Sequence, residues 1–90
     1  MQYEDKNDLS EKELDMRRAI DSLNEEMGAV NAYIQRAKAS SNESLKKILL
    51  HHSKEEKEHA AMLIEWIRRQ DPEFSKELKD YVFTEKEISH

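Results

Sequence analysis

The 90-residue sequence contains no cysteine. That excludes disulfides, thiolate zinc sites and thiol catalysis. Any bound metal must then be held by carboxylate, imidazole or carbonyl groups. Glycine and proline occur once each. So few breakers leave little room for tight turns and argue for long helices over sheet. No apolar run approaches the roughly 18–20 residues of a membrane helix, so no membrane partner is expected. The opening MQYEDKNDLSEKEL is polar and acidic, unlike a signal or transit peptide. Basic charge is also in the minority: Lys+Arg 15 against Asp+Glu 20 gives −5. Its local groups are mere pairs, such as Lys46-Lys47 and Arg68-Arg69. Nucleic-acid binding needs a basic stripe, so no nucleic-acid partner is expected.

What is present is charge, 39% of residues, arranged with helical period. Residues 1–8 read as a frayed, flexible end. Ser10 with Glu13 fits a capping box and starts helix 1 at about residue 10. Its apolar positions are Met16, Ala19, Ile20, Leu23, Met27, Val30, Tyr33, Ile34 and Ala37, in steps of three and four. The helix runs to about Ala39, and Gly28 weakens it by roughly 1 kcal/mol. Ser40-Ser41-Asn42 is a turn signal that also offers a cap. Helix 2 spans about 43–70. Its inner face holds Leu45, Ile48, Leu49, His52, Glu56, His59, Ala60, Leu63, Trp66 and Ile67. Asp71-Pro72 is a cap followed by a first-turn proline, opening helix 3 at about 72–82. That helix carries Phe74, Leu78, Tyr81 and Val82 or Phe83 for burial. The tail from Thr84 carries no strong signal.

The expected fold is all-α. A short link makes helices 1 and 2 an antiparallel hairpin, each about 40–45 Å long at 1.5 Å per residue. A chain this short buries a limited core and leaves part of each apolar stripe open. Two hairpins dimerising into a four-helix bundle would cover it. Residues 1–90 then form one half-bundle domain.

The chemistry sits on those inner faces. Glu56-Lys57-Glu58-His59 contains E-x-x-H. At about 100° per residue, Glu56 and His59 fall on the apolar stripe, while Glu58 points away. On helix 1, Glu26 shares the stripe of Ala19, Leu23, Val30 and Tyr33, while Glu25 faces outward. E-x-x-H alone is a weak motif, because a helix-surface Glu can pair with Lys. An inward carboxylate on each helix strengthens it, since burying Glu is costly without a partner or metal. Each chain thus offers Glu26, Glu56 and His59. Two chains related by a two-fold axis offer six ligands, the number found in ferritin-like di-iron bundles. Four carboxylates bring −4 and two divalent ions +4, leaving the centre neutral. Oxygen and nitrogen ligands suit Fe or Mn and tolerate Zn. Tyr33, two turns from Glu26, is a candidate donor beside the ligands. His52 reads as a hydrogen-bonded core residue. His51, Glu55 and Glu58 line the outer side of helix 2, as a solvated acidic face or a weak cation site. Met16, Met27, Met62 and Trp66 read as packing.

Glu55-Glu56-Lys57-Glu58-His59-Ala60-Ala61-Met62, followed by Glu65-Trp66 and Arg68-Arg69, resembles the encapsulated ferritins. So do Arg18-Ala19-Ile20, Glu25-Glu26, Ala29-Val30, Tyr33 and Gln35-Arg36. Tyr81-Val82-Phe83-Thr84-Glu85 is similar to the family's segment after the third helix. The resemblance runs without a gap from about Leu14 to Glu85. It implies a ferroxidase that oxidises Fe(II) to Fe(III) with O₂ at a di-iron site shared by two subunits. It implies a ring-shaped homodecamer held as cargo in a cytoplasmic encapsulin nanocompartment, with the encapsulin shell protein as partner and iron storage as the outcome. It makes Glu26, Glu56 and His59 the iron ligands and Tyr33 a neighbour of the centre. Glu25 then belongs to an entry site, and His51, Glu55 and Glu58 to peripheral metal binding, where Zn, Mn or Ca can substitute. Two positions depart from the pattern: Gly28 stands where a second entry-site Glu is common, and Ala32 where a Trp is common. The family's C-terminal targeting peptide has no counterpart before His90. That fits a truncated chain or one joined covalently to its shell protein. The competing readings are a non-catalytic helical module stabilised by zinc or calcium, and a rubrerythrin-like peroxide-reducing centre. The second usually needs a thiolate iron domain or an electron-transfer partner.

Overall fold

The structure is a computed structural model and describes residues 10–89; the expectation of a frayed end at residues 1–8 lies outside that range. Three helices account for the fold: α1 (Glu11–Ala39), α2 (Glu43–Gln70) and α3 (Pro72–Tyr81). No strand occurs among the described residues.

The helix ends are where the short polar residues put them. Ser10 Oγ accepts from the Glu13 amide at 3.1 Å, and the Glu13 carboxylate accepts from the Ser10 amide at 3.4 Å. Asn42 Oδ1 accepts from the Leu45 amide at 2.9 Å and starts α2. Asp71 serves two helices. Its amide donates to Ile67 O at 3.0 Å, ending α2, and its carboxylate accepts from the Glu73 and Phe74 amides, starting α3. Such caps contribute about 1 kcal/mol each. α1 passes through Gly28 without a break. No atom lies within 4 Å of where a Cβ on Gly28 would sit, so packing does not require glycine there.

α1 and α2 form the antiparallel hairpin: Glu26 meets His59, and Tyr33 meets His52. The seam between them is built from Ala19, Val30 and Ala37 on α1 and Ser53, Ala60 and Ile67 on α2. The α2 residues recur every seven positions, the repeat that keeps one line of a helix against its neighbour. Small side chains on this line let the backbones approach closely. The larger apolar residues flank the seam and stay open: Met27 is 53% exposed and Ile48 52%. Ile20, Leu45 and Trp66 are exposed too. The radius of gyration is 16.9 Å, against about 12 Å for a compact domain of this length. A two-helix layer has one covered side only.

α3 is held on α2 by a charged knot. Arg68 donates twice to the Glu65 carboxylate, at 2.7 and 2.8 Å, and once to Ser75 Oγ at 3.1 Å. Arg69 donates to the same carboxylate at 2.6 Å. The two guanidinium groups lower the Glu65 pKa to about 2. α3 ends one residue earlier than expected, with Val82 as cap donating to Leu78 O at 2.8 Å. The expected burial of Val82 or Phe83 does not occur: both are exposed, Phe83 completely. Phe83 has φ 61, a left-handed conformation that costs a residue with a Cβ roughly 1–2 kcal/mol.

Candidate metal centre

Glu26 projects from the middle of α1, and Glu56 and His59 from the facing turns of α2. His59 Nδ1 lies 3.4 Å from Glu26 Oε2 and 3.5 Å from Glu56 Oε2. One ligand atom from each residue falls within 4.8 Å of the other two. The E-x-x-H spacing puts Glu56 and His59 on adjacent turns, and the antiparallel register brings Glu26 opposite them. At 3.4–3.5 Å these contacts are long for hydrogen bonds. Glu26 Oε2 is buried without a hydrogen-bond donor. An acceptor oxygen left without a donor is costly in a protein interior. A cation between the three groups would satisfy it. An imidazole nitrogen and two carboxylates form a donor set that fits iron.

The three side chains are only partly buried in the single chain: Glu26 26% exposed, Glu56 22% and His59 48%. They lie beside the seam, on the flank that also carries the open apolar residues. The inward expectation therefore holds for the two carboxylates and holds less well for His59. One hairpin covers the back of the group and leaves its front open.

The other candidates stand apart from this group. Glu25 and Glu58 are exposed, as expected for the outward partners of Glu26 and Glu56. His51 Nε2 meets Glu55 Oε1 at 2.7 Å on the exposed side of α2, and Glu58 forms no ion pair among the described residues. Tyr33 is half-buried; the His52 ring meets it edge-to-face at 5.0 Å, and the Arg36 guanidinium lies 5.5 Å from its centre. His52 itself is exposed, which corrects its reading as a core histidine. One buried polar residue near the centre escaped the sequence reading. Ser53 is 2% exposed, its hydroxyl has no partner, and it sits one turn before Glu56. Its spacing of seven from Ala60 was the available signal.

The sequence profile of EncFtn-like proteins matches residues 1–85. The chain belongs to the EncFtn-like family. A "Ferritin-like protein" of Thermotoga maritima is 45% identical over 87 residues, covering 97% of this chain and 76% of that protein. An "Encapsulated ferritin-like protein" of Rhodospirillum rubrum is 47% identical over 81 residues, covering 90% of this chain and 58% of that protein. The chain thus spans less than two thirds of the second relative. A crystal structure from Nitrosomonas europaea superposes with a TM-score of 0.94 at 57% identity, over 99% of this chain and 98% of that one. The EncFtn-like fold is therefore this hairpin with its short third helix. No helix among the described residues is long and apolar enough to cross a membrane.

Proposed function

We propose that this EncFtn-like chain is a ferroxidase subunit whose Glu26, Glu56 and His59 bind Fe(II) as substrate. The observation that carries the reading is the convergence of these three side chains from two helices, with a buried carboxylate oxygen lacking any donor. The chain acts as a half-ferritin unit. A second copy brings the same three residues across a two-fold axis, covers the open apolar flank, and completes a six-ligand site for two ions. Membership of the EncFtn-like family and the likeness to ferritin-like relatives support iron as the metal.

Each group then has a task. Glu26 and Glu56 neutralise the ions and hold them close together. His59 supplies a neutral donor through Nδ1, which already faces both carboxylates. Tyr33, ordered by His52 and Arg36, stands beside the site as a polar neighbour. Glu25, exposed next to Glu26, draws cations toward the opening. Iron supplies the electrons and O₂ takes them, while the protein sets geometry and excludes bulk water. The dimers assemble into a ring-shaped decamer carried as cargo in the lumen of an encapsulin shell in the cytoplasm. The names of two relatives support this: one is called encapsulated, and one from Myxococcus xanthus is called an encapsulin nanocompartment cargo protein.

The test is an anaerobic Fe(II) load followed by air. Ferric absorbance rises in proportion to protein if the reading is right. Tight metal binding with no oxygen-dependent absorbance would leave a metal-stabilised helical module instead.

A further inference from the structure

The end of the chain presents an aromatic knob. After α3, Thr84 Oγ1 donates to Tyr81 O at 2.9 Å, and the Lys86 ammonium lies 4.6 Å from the Tyr81 ring centre. These contacts hold the turn in which Phe83 takes φ 61. That is the position after a helix where glycine is favoured, because a Cβ is disfavoured there. Phe83 combines this unfavourable backbone with full exposure of its ring, beside exposed Val82. Neither feature benefits the isolated chain. A groove of about 500 Å³ lies on the exposed side of α2, with Met62 and Trp66 as its apolar wall and Glu58 at its rim. It has room for a phenyl ring, and the chain's own Phe83 does not occupy it. Glu58 forms no ion pair among the described residues. Lys86, three residues beyond Phe83, carries the opposite charge.

We propose that Phe83 of one copy seats in the Met62–Trp66 groove of another, with Lys86 meeting Glu58. The partner is a second copy of this chain, because knob, groove and matched charges all lie on one sequence. The contact uses residues away from Glu26, Glu56 and His59. It is therefore separate from a contact made through the metal site, and joins units already paired there into larger assemblies.

The experiment is sedimentation velocity on the full chain loaded with Zn(II), a redox-inert ion that keeps any metal-bridged pair intact. Wild type should form species larger than a dimer. Phe83→Gly and Phe83→Asn both tolerate a left-handed backbone and remove the ring. Each should weaken formation of the larger species at least tenfold without lowering helicity or the thermal midpoint. Met62→Lys should do the same from the groove side. A 1:1 mixture of Phe83→Gly and Met62→Lys chains retains one intact knob and one intact groove, and should form mixed species that neither forms alone. Wild type that never exceeds a dimer would overturn the proposal, as would Phe83 variants that assemble like wild type. Unchanged self-association with lost capture by a shell protein would assign Phe83 to a foreign partner and overturn it equally.

Discussion

α2 carries two groups of the same chemistry a few residues apart. The inner one joins Glu56 and His59 to Glu26 of α1; the outer one pairs His51 with Glu55, with Glu58 one turn on. Composition does not separate them. Position relative to the seam does. The inner groups meet from two helices, are largely shielded, and include an oxygen without a donor. The outer pair lies on one helix, with side chains 66% and 50% exposed and a 2.7 Å contact that already satisfies both partners. Water screens the outer group and chain flexibility loosens it. A metal bound in the inner group meets ligands that the fold has already brought together. Convergence across a helix pair, more than the count of His and Glu, makes a candidate centre.

The largest effect should follow from breaking the inner group. Glu56→Ala or His59→Ala is expected to cut Fe(II) oxidation by more than about 100-fold, since even residues behind metal ligands often matter by 10–100-fold. Glu55→Ala should leave the rate within about twofold. Stopped-flow oxidation measures the rates, and circular dichroism checks that the helices persist. Equal losses in Glu55→Ala and Glu56→Ala would erase the distinction between the two groups.

A second test asks whether the inner group is half of a larger one. Three ligands from one chain are few for two ions, and the open flank exposes Met27 and Ile48 beside them. A ligand that binds the dimer but not the monomer shifts the equilibrium toward dimer, by about 2.7 kcal/mol at 100 times its Kd. Zn(II) should therefore raise the dimer fraction, with roughly two ions per dimer, as in other six-ligand bundle sites. Glu26→Ala should abolish the response. Native mass spectrometry with and without chelator reads both. A monomer that holds two ions alone would sink the shared site.

Much of this comparison was legible in the sequence. Ser10 with Glu13, Asn42, and Asp71-Pro72 marked the helix ends because side-chain capping is a local interaction. Glu26 against Glu25, and Glu56 against Glu58, separated by face because a neighbour on a helix turns by about 100°. The finer division of the apolar stripe was not legible. Ala19, Ala37, Ser53 and Ala60 take the seam, and bulkier Leu45, Ile48 and Trp66 are pushed to its flank. Periodicity identifies a stripe; which line of it is covered depends on where the partner helix lies. Phe83 defeated the reading for a related reason. An aromatic residue after a helix suggests burial, yet the turn held by Thr84 and Lys86 aims it at solvent.

The smallest expected effect belongs to the outer pair and sharpens the contrast from its weak side. His51 precedes Glu55 by four residues, the less favourable order for an acid–base pair in a helix dipole. Exposed pairs of this kind contribute ~0.2–1 kcal/mol at most. With two ligands on one helix and Glu58 not engaged, a cation held there keeps most of its water. His51→Ala/Glu55→Ala should thus shift the thermal midpoint little and leave the tight phase of Zn(II) binding intact. A weak phase, if the wild type shows one at low salt, should disappear in the variant and be suppressed by salt in the wild type, because exposed charges are screened within a Debye length of about 10 Å at 0.1 M. Isothermal titration at low and high salt resolves the two phases. Survival of the weak phase in the variant would place it elsewhere on the acidic surface. Loss of the tight phase would mean that the outer pair supports the inner ligands through α2, and the two groups would have to be treated as one site.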